Sequence, residues 1–201
     1  MAPASATHSF HAVAVELRPA YPIRTKRLVL RPYLESDLEA VLDVESREDV
    51  VRYLRWGPMD REAAVAYLER RMAQTEIDGS TGAIIVAASI WPDDRVIGEF
   101  MLKLIDEMSR QGEIGWTVHP DVQGRGYAGE GAREMLRLGF DDLGLHRIIA
   151  EADPRNEASL RLMDRLGMRR EAEFRDAEFI KGEWVGATVC AILEDEWRAR
   201  A

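Results

Sequence analysis

The order of apolar and polar residues predicts alternating strands and helices from about residue 25 onward. Residues 25–33, TKRLVLRPY, alternate about Leu28 and Leu30 and stop at Pro32, as a strand does. Ser36 and Glu39 have the spacing of a capping box, and Leu38, Val41 and Leu42 fall on one helical face behind them. Asp60 stands where a second helix needs its N-cap, with Ala64, Val65, Leu68 and Met72 at helical spacing and Asp78-Gly79 to close it. Residues 83–90 are almost continuously apolar. After the turn residues Pro92-Asp93-Asp94 a second apolar run covers residues 96–105, so the two predict an antiparallel hairpin.

The next strand is expected over residues 113–118. It leads through His119-Pro120-Asp121 into a glycine-rich loop and then a helix whose Ala128, Ala132, Met135, Leu136 and Phe140 share a face, with Gly144 ending it. Residues 147–153 predict another strand, and a strand, helix, strand succession implies a parallel neighbour reached by a right-handed crossover. Asn156 caps a short helix with Leu160, Met163 and Leu166 inward and Gly167 at its end. Residues 168–197 alternate weakly about Lys181-Gly182 and predict a last pair of strands. The expected fold class is therefore α/β: a mixed, mainly antiparallel sheet flanked by helices, with its two central strands, residues 113–118 and 147–153, parallel.

Composition narrows the function classes. With 201 residues, 46% of them hydrophobic, the chain is long enough for one buried core, so residues 23–201 are expected to form a single domain behind a mobile N-terminal arm, residues 1–22. A net charge of −9 argues against nucleic acid or an anionic membrane as partner, because both require a basic face. Cys190 is the only cysteine, which excludes an internal disulfide and a cysteine zinc site and suits the reducing cytoplasm; no metal site is expected. The first residues have neither a basic start nor a long apolar run, so neither a signal peptide nor a membrane span is expected.

The candidate chemistry lies in residues 112–133, GEIGWTVHPDVQGRGYAGEGAR. Gly124, Gly126 and Gly129 remove side chains where a backbone must approach a ligand, and the first turn of the following helix offers unpaired N–H groups and a positive dipole end. The three glycines match the G-x-G-x-x-G of dinucleotide folds, with Glu151 or Asp153 roughly twenty residues on, where such folds place an acid for the ribose. Against a nicotinamide-dependent oxidoreductase stand the five residues, 119–123, between strand and first glycine, the position past mid-chain, and the few strands that remain. A nucleoside-triphosphate loop fails because no Gly-Lys-Ser/Thr follows.

The same loop, Q-G-R-G-Y-A over residues 123–128, resembles the Q/R-x-x-G-x-G/A signature of the GNAT superfamily of N-acetyltransferases. Residues 25–37 resemble the R-L-x-L-R-P opening of its ribosomal-protein N-acetyltransferase branch, residues 113–120 its E-I-G-W strand, and residues 156–167 its N-x-x-S helix; the Glu196-Trp197 ending agrees. The chain departs from that pattern at Gly186 and Cys190, where relatives carry an aspartate and a tyrosine. The resemblance implies a GNAT-type fold with acetyl-CoA as co-substrate, held by Trp116, Thr117, Val118, Gln123, Gly124, Arg125, Gly126, Tyr127, Ala128, Gly129 and Asn156. It implies direct transfer of the acetyl group to a primary amine in a ternary complex, and allows a homodimer. The amine acceptor is a protein N-terminus, an amino acid or a small amine.

Such a transfer needs a neutral amine, yet a lysine amine has a pKa of about 10.4 and an α-amine of about 8. Something must take that proton, and a carboxylate acting through water can do so. Glu113, on the strand beside the expected thioester, and Glu178, which the resemblance places near the acceptor, are the two candidates. Ser159 is the candidate for protonating the leaving thiolate, and the backbone N–H near Val118 for holding the acetyl carbonyl. His119, in the turn before the loop, and His146, at the start of a strand away from the expected thioester, rank below these, as does Cys190, since direct transfer needs no covalent enzyme. The non-enzyme alternative is a domain that binds acyl-CoA as a regulatory ligand.

Overall fold

The computed structural model describes residues 16–78 and 82–200. The strands are β1 (Glu16–Leu17), β2 (Ile23–Arg24), β3 (Leu28–Arg31), β4 (Ile77–Asp78), β5 (Ala83–Ile90), β6 (Val96–Asp106), β7 (Gln111–Val118), β8 (Arg147–Ala152), β9 (Arg169–Ile180) and β10 (Glu183–Leu193). The helices are α1 (Leu38–Glu45), α2 (Glu48–Val51), α3 (Arg61–Met72), α4 (Tyr127–Arg137), α5 (Glu157–Leu166) and α6 (Glu194–Arg198). Eight strands form one sheet in the order β2-β3-β5-β6-β7-β8-β10-β9, and β1 pairs separately with β4. Every neighbouring pair is antiparallel except β7 and β8, the pair joined through α4.

Both faces of the sheet are covered, which explains why residues 83–90 read as an unbroken apolar run. Ile84, Val86 and Ala88 of β5 face the α4 and α5 side with Phe100, Leu102, Ile114, Ala132, Met135 and Met163. Ile85 and Ala87 face the α1 and α3 side with Tyr33, Val41, Ala64, Tyr67 and Leu68. Phe100 and Met135 are fully buried, and burial of a side chain of that size contributes about 1.5–3 kcal/mol. The approach of α4 to the sheet depends on Gly131, where a Cβ would lie 2.2 Å from the Phe100 ring.

β7 and β8 pair only at Gln111–Arg147, Gly112–Ile148 and Glu113–Ile149. Beyond Glu113 the two strands separate, so the centre of the sheet opens into a wedge on the side where β7 ends.

Several local expectations change. No cap forms at Ser36. A 3-10 turn over Glu35–Asp37 precedes α1, and the Asp37 carboxylate accepts the Leu34 N–H at 2.8 Å while pairing with Arg31 at 2.7 Å. Arg31 reaches Asp37 from the preceding strand, a contact the capping-box spacing does not reveal. Asp60 does cap α3, accepting the Ala63 N–H at 2.9 Å. That helix ends at Met72 and Asp78 belongs to β4; Gly79 lies outside the described residues.

Of the expected arm, residues 1–15 lie outside the described residues. From Glu16 the chain is tied down: Leu17 pairs with Ile77, and the Tyr21 hydroxyl donates to the Thr75 carbonyl at 2.8 Å. Past α4 a π-turn over Leu138–Asp142 carries the chain to Gly144, which has φ +69. The terminal Trp197 stacks on Phe140 and donates from Nε1 to Asp141 at 3.0 Å.

Candidate active site

The end of β7 sets the geometry of the glycine loop. The His119 N–H bonds the Ile97 carbonyl of β6 at 2.7 Å, and successive strand residues alternate in direction. The N–H and C=O of Val118 therefore point away from β6, into the wedge that β8 has left. The Val118 carbonyl is taken by the Gln123 side chain, whose Nε2 donates at 2.9 Å. A short turn over Pro120–Val122 then delivers Gly124 (φ +73) and Gly126 (φ +84), the latter at the N-cap of α4. Left-handed φ values cost any L side chain about 1–2 kcal/mol, which is why glycine stands there. The first helical bond falls between the Glu130 N–H and the Gly126 carbonyl, leaving the N–H groups of Tyr127, Ala128 and Gly129 free of helical acceptors. A run of free N–H groups at a positive dipole end is suited to a phosphate oxygen.

A cleft of about 600 Å³ runs along this loop. Its floor is Trp116, Thr117 and Val118 at the wedge, and one wall is Gln123, Gly124, Gly126, Tyr127, Ala128 and Gly129. The opposite wall comes from α5: Asn156, Ala158, Ser159, Arg161, Leu162 and Arg165. The α5 cap is formed as expected, the Asn156 Oδ1 accepting the Ser159 N–H at 3.1 Å. All the expected ligand-holding residues meet here except Arg125. Its side chain is exposed and off the cleft, and its carbonyl accepts a hydrogen bond from Arg27 at 2.8 Å.

The two candidate carboxylates lie off the cleft lining, and their environments differ. Glu113 sits on β7, half-buried, with the Lys103 Nζ at 3.9 Å. Burial pushes its carboxyl above the ordinary value, Lys103 opposes this, and Glu151 adds to it. Glu178 has the opposite character. Arg55 donates to both of its oxygens at 2.8 Å and also to Glu151 at 2.8 Å. The Arg55 hydrogen bond holds the Glu178 carboxyl below the ordinary value. A carboxylate held charged by a bidentate guanidinium is a weak proton acceptor, which counts against Glu178 as the base.

None of the three lower-ranked candidates lines the cleft. Cys190 is buried, and burial raises its thiol away from the reactive thiolate. His119 is buried, its Nδ1 accepting the Asp121 N–H at 3.2 Å. His146 stands 3.9 Å from Glu194, away from the cleft. Among the described residues no cluster of three or more His, Cys, Asp or Glu is arranged to hold a metal ion.

Sequence reasoning missed part of the lining. Ala158, Arg161, Leu162 and Arg165 continue the stripe of α5 that starts beside Asn156, so helical spacing could have found them. Asp49, Val50, Tyr53 and Leu54, from α2 and the residues after it, carry no such signal, since a helix of four residues has no periodicity.

The dinucleotide reading requires a parallel sheet, and in the described residues β7–β8 is the only parallel pair. The model of the acetyltransferase (GNAT) domain matches residues 27–169. The uncharacterized N-acetyltransferase YnaD of Bacillus subtilis (strain 168) is 35% identical over 87% of this chain and 98% of its own. The spermidine N(1)-acetyltransferase of Escherichia coli (strain K12) is 26% identical over 85% of this chain and 88% of its own. A solved acetyltransferase (GNAT family) from Bacillus anthracis superposes with a TM-score of 0.78 at 30% identity, covering 87% of this chain and 99% of that one. A wedge between two parallel strands, a glycine loop at its mouth and a domain match across most of the sheet agree, and the chain belongs to the GNAT acetyltransferases, enzymes that use acetyl-CoA.

Proposed function

We propose that the protein transfers the acetyl group of acetyl-CoA directly to a primary amine that carries further positive charge. The observation that carries this reading is the wedge: β7 and β8 part after Glu113, and the Val118 N–H points into the gap at one end of a cleft whose other wall is the phosphate-suited loop. In this reading the N–H groups of Tyr127, Ala128 and Gly129 hold the pyrophosphate. The pantetheine arm runs past Asn156, and the thioester carbonyl takes the Val118 N–H. Ser159, in the first turn of α5 and on the cleft wall, returns a proton to the leaving thiolate. Glu113 takes the amine's proton, because its raised carboxyl is the better base of the two candidates.

The charge of the acceptor rests on carboxylates carried by β7, β8 and β9. Glu113, Glu151 and Glu178 gather there around Arg55, an excess of carboxylate that favours a cation over an acid. The spermidine N(1)-acetyltransferase among the relatives supports the same choice. We further infer a cytoplasmic enzyme, from the single buried cysteine and from an energy-rich thioester as co-substrate.

Two measurements test the proposal. Acetyl-CoA raises the melting temperature and NAD does not; the reverse would end it. In a panel of polyamines, peptides with free N-termini and amino acids, thiol release is fastest with the polyamines. Stabilisation by acetyl-CoA without thiol release from any amine would favour a regulatory acyl-CoA-binding role instead. Fastest release with amino acids would overturn the assignment of a cationic acceptor.

A further inference from the structure

The first turn of α4 contains an element that its proposed task should not tolerate. Glu130 is the acidic residue of that turn, four positions from the Gly126 N-cap. A carboxylate at a helix N-terminus is favourable for an isolated helix. Here it competes with a phosphate for the same dipole and repels it. The protein answers this from the other end of the domain. The Thr25 hydroxyl donates to the Glu130 Oε1 at 2.6 Å, the Arg27 backbone N–H to the same oxygen at 2.6 Å, and the Arg27 Nε to Oε2 at 2.7 Å.

The Arg27 guanidinium does not stop there. Its Nη1 donates to the Arg125 carbonyl in the middle of the glycine loop at 2.8 Å, and its Cζ lies 4.5 Å from the centre of the Tyr127 ring. A Cβ on Gly126 would lie 3.3 Å from its Nη2. The backbone of Arg27 is fixed on the other side, its carbonyl accepting the Trp91 N–H at 2.9 Å. One guanidinium thus touches the residue before the N-cap, the first residue of α4 and the carboxylate of its first turn. Its anchor is the edge of the sheet.

We propose that Arg27, acting with Glu130, is a positioning residue for the glycine loop: it sets the loop's backbone and cancels the carboxylate that would otherwise repel the phosphate held there. The inference rests on reading that loop as the pyrophosphate site. It gives the opening residues 25–27 a role in ligand binding although they do not line the cleft. Burial works against the Glu130 charge, but the hydrogen bonds from Thr25 and Arg27 together outweigh it and hold the carboxyl below its ordinary value. Glu130 is therefore charged at neutral pH, and its neutralisation depends on Arg27 and not on a proton.

The test is calorimetric titration of CoA into the full chain and its variants. Wild type binds; failure of wild type to bind CoA would sink the reading of the loop and this inference with it. With wild-type binding established, Arg27→Ala is expected to weaken CoA about tenfold or more, raising KM for acetyl-CoA while kcat at saturation and KM for the amine hold. The decisive variant is Arg27→Ala with Glu130→Gln. Removing the stranded charge should restore part of the affinity, so the double variant binds CoA more tightly than Arg27→Ala alone. A merely structural tie predicts the opposite, a double variant at least as weak as the worse single. Arg27→Lys keeps charge and stem but cannot reach both acceptors. It is expected to lose about fivefold, and it carries the same comparison with Glu130→Gln where the alanine variant does not fold. CoA affinity unchanged in Arg27→Lys and Arg27→Ala, or a double variant that binds CoA no more tightly than Arg27→Ala, would overturn the proposal while leaving the loop's own role intact.

Discussion

Glu45, the last residue of α1, gives a stability prediction with a definite sign. It is 3% exposed; its carboxylate accepts the Trp56 Nε1–H at 2.9 Å, and its backbone carbonyl accepts the Met59 N–H at 3.0 Å. Burial pushes its carboxyl from 4.5 up to about 7; the Trp56 hydrogen bond opposes this, the nearby Glu99 adds to it, and Arg71 opposes it. A carboxyl so displaced has its charged form disfavoured in the folded state by about 3 kcal/mol. The folded protein holds this proton across a window where the unfolded chain has released it. Stability is therefore lost as pH rises from 4.5 to about 7 and is flat above. About 2 kcal/mol of the loss falls between about pH 5 and about pH 8.

Glu45→Gln keeps an oxygen for Trp56 and removes the titration. Relative to wild type it should gain about 2 kcal/mol, or about 5 °C in melting temperature for a chain of this size, on going from about pH 5 to about pH 8. The assay is thermal unfolding of both proteins across that range, with the difference between them as the readout. Any constant offset from the new amide cancels in it. A difference that does not change with pH would refute the argument. Glu45 also anchors Trp56, and Trp56 adjoins Arg55, the guanidinium that pairs with Glu151 and Glu178.

Three further predictions concern the active site itself. Gly126→Val places a β-branched side chain at φ +84 against the Arg27 guanidinium. It should cost about 1–2 kcal/mol of stability and more than about tenfold in CoA affinity, with unchanged affinity in calorimetry removing the loop's phosphate role. Glu113→Gln should lower the rate about tenfold or more near neutral pH, with the loss shrinking at high pH as free amine accumulates. Glu178→Gln should act mainly on KM for the amine by releasing Arg55, and equal, pH-independent rate losses in both variants would show that neither is the base.

What the sequence made legible was local. The capped helix at Asn156 and the glycine loop follow from spacing within about a dozen residues, where propensity and turn chemistry dominate, and the crossover that sets β7 parallel to β8 follows from the order of three consecutive elements. What it hid was made between elements, in two cases across long separations. Asp37 replaces Ser36 at the first helix because Arg31 reaches it from a strand. Glu178 is engaged because Arg55, 123 positions away, folds against it. Arg27 reads in sequence as part of an opening strand motif, and only the pairing with Glu130, 103 positions on, reveals a second task. Such ion pairs leave no periodic trace, because a carboxylate's partner is chosen by the packing of whole layers.

The short ladder between β7 and β8 has a mechanical consequence. The five strands β2, β3, β5, β6 and β7 and the three strands β8, β10 and β9 are stitched through three residue pairs, with α4 packed on the β6 and β7 side of the seam. A sheet joined so briefly at its middle is a hinge whose natural softness is torsional. A molecule seated in the wedge, bonded to the β7 side and packed against α5 on the β8 side, would act as a rivet across that hinge. The gap would then couple occupancy to rigidity, and amide exchange over Ile114 to Val118 should slow when the wedge is filled.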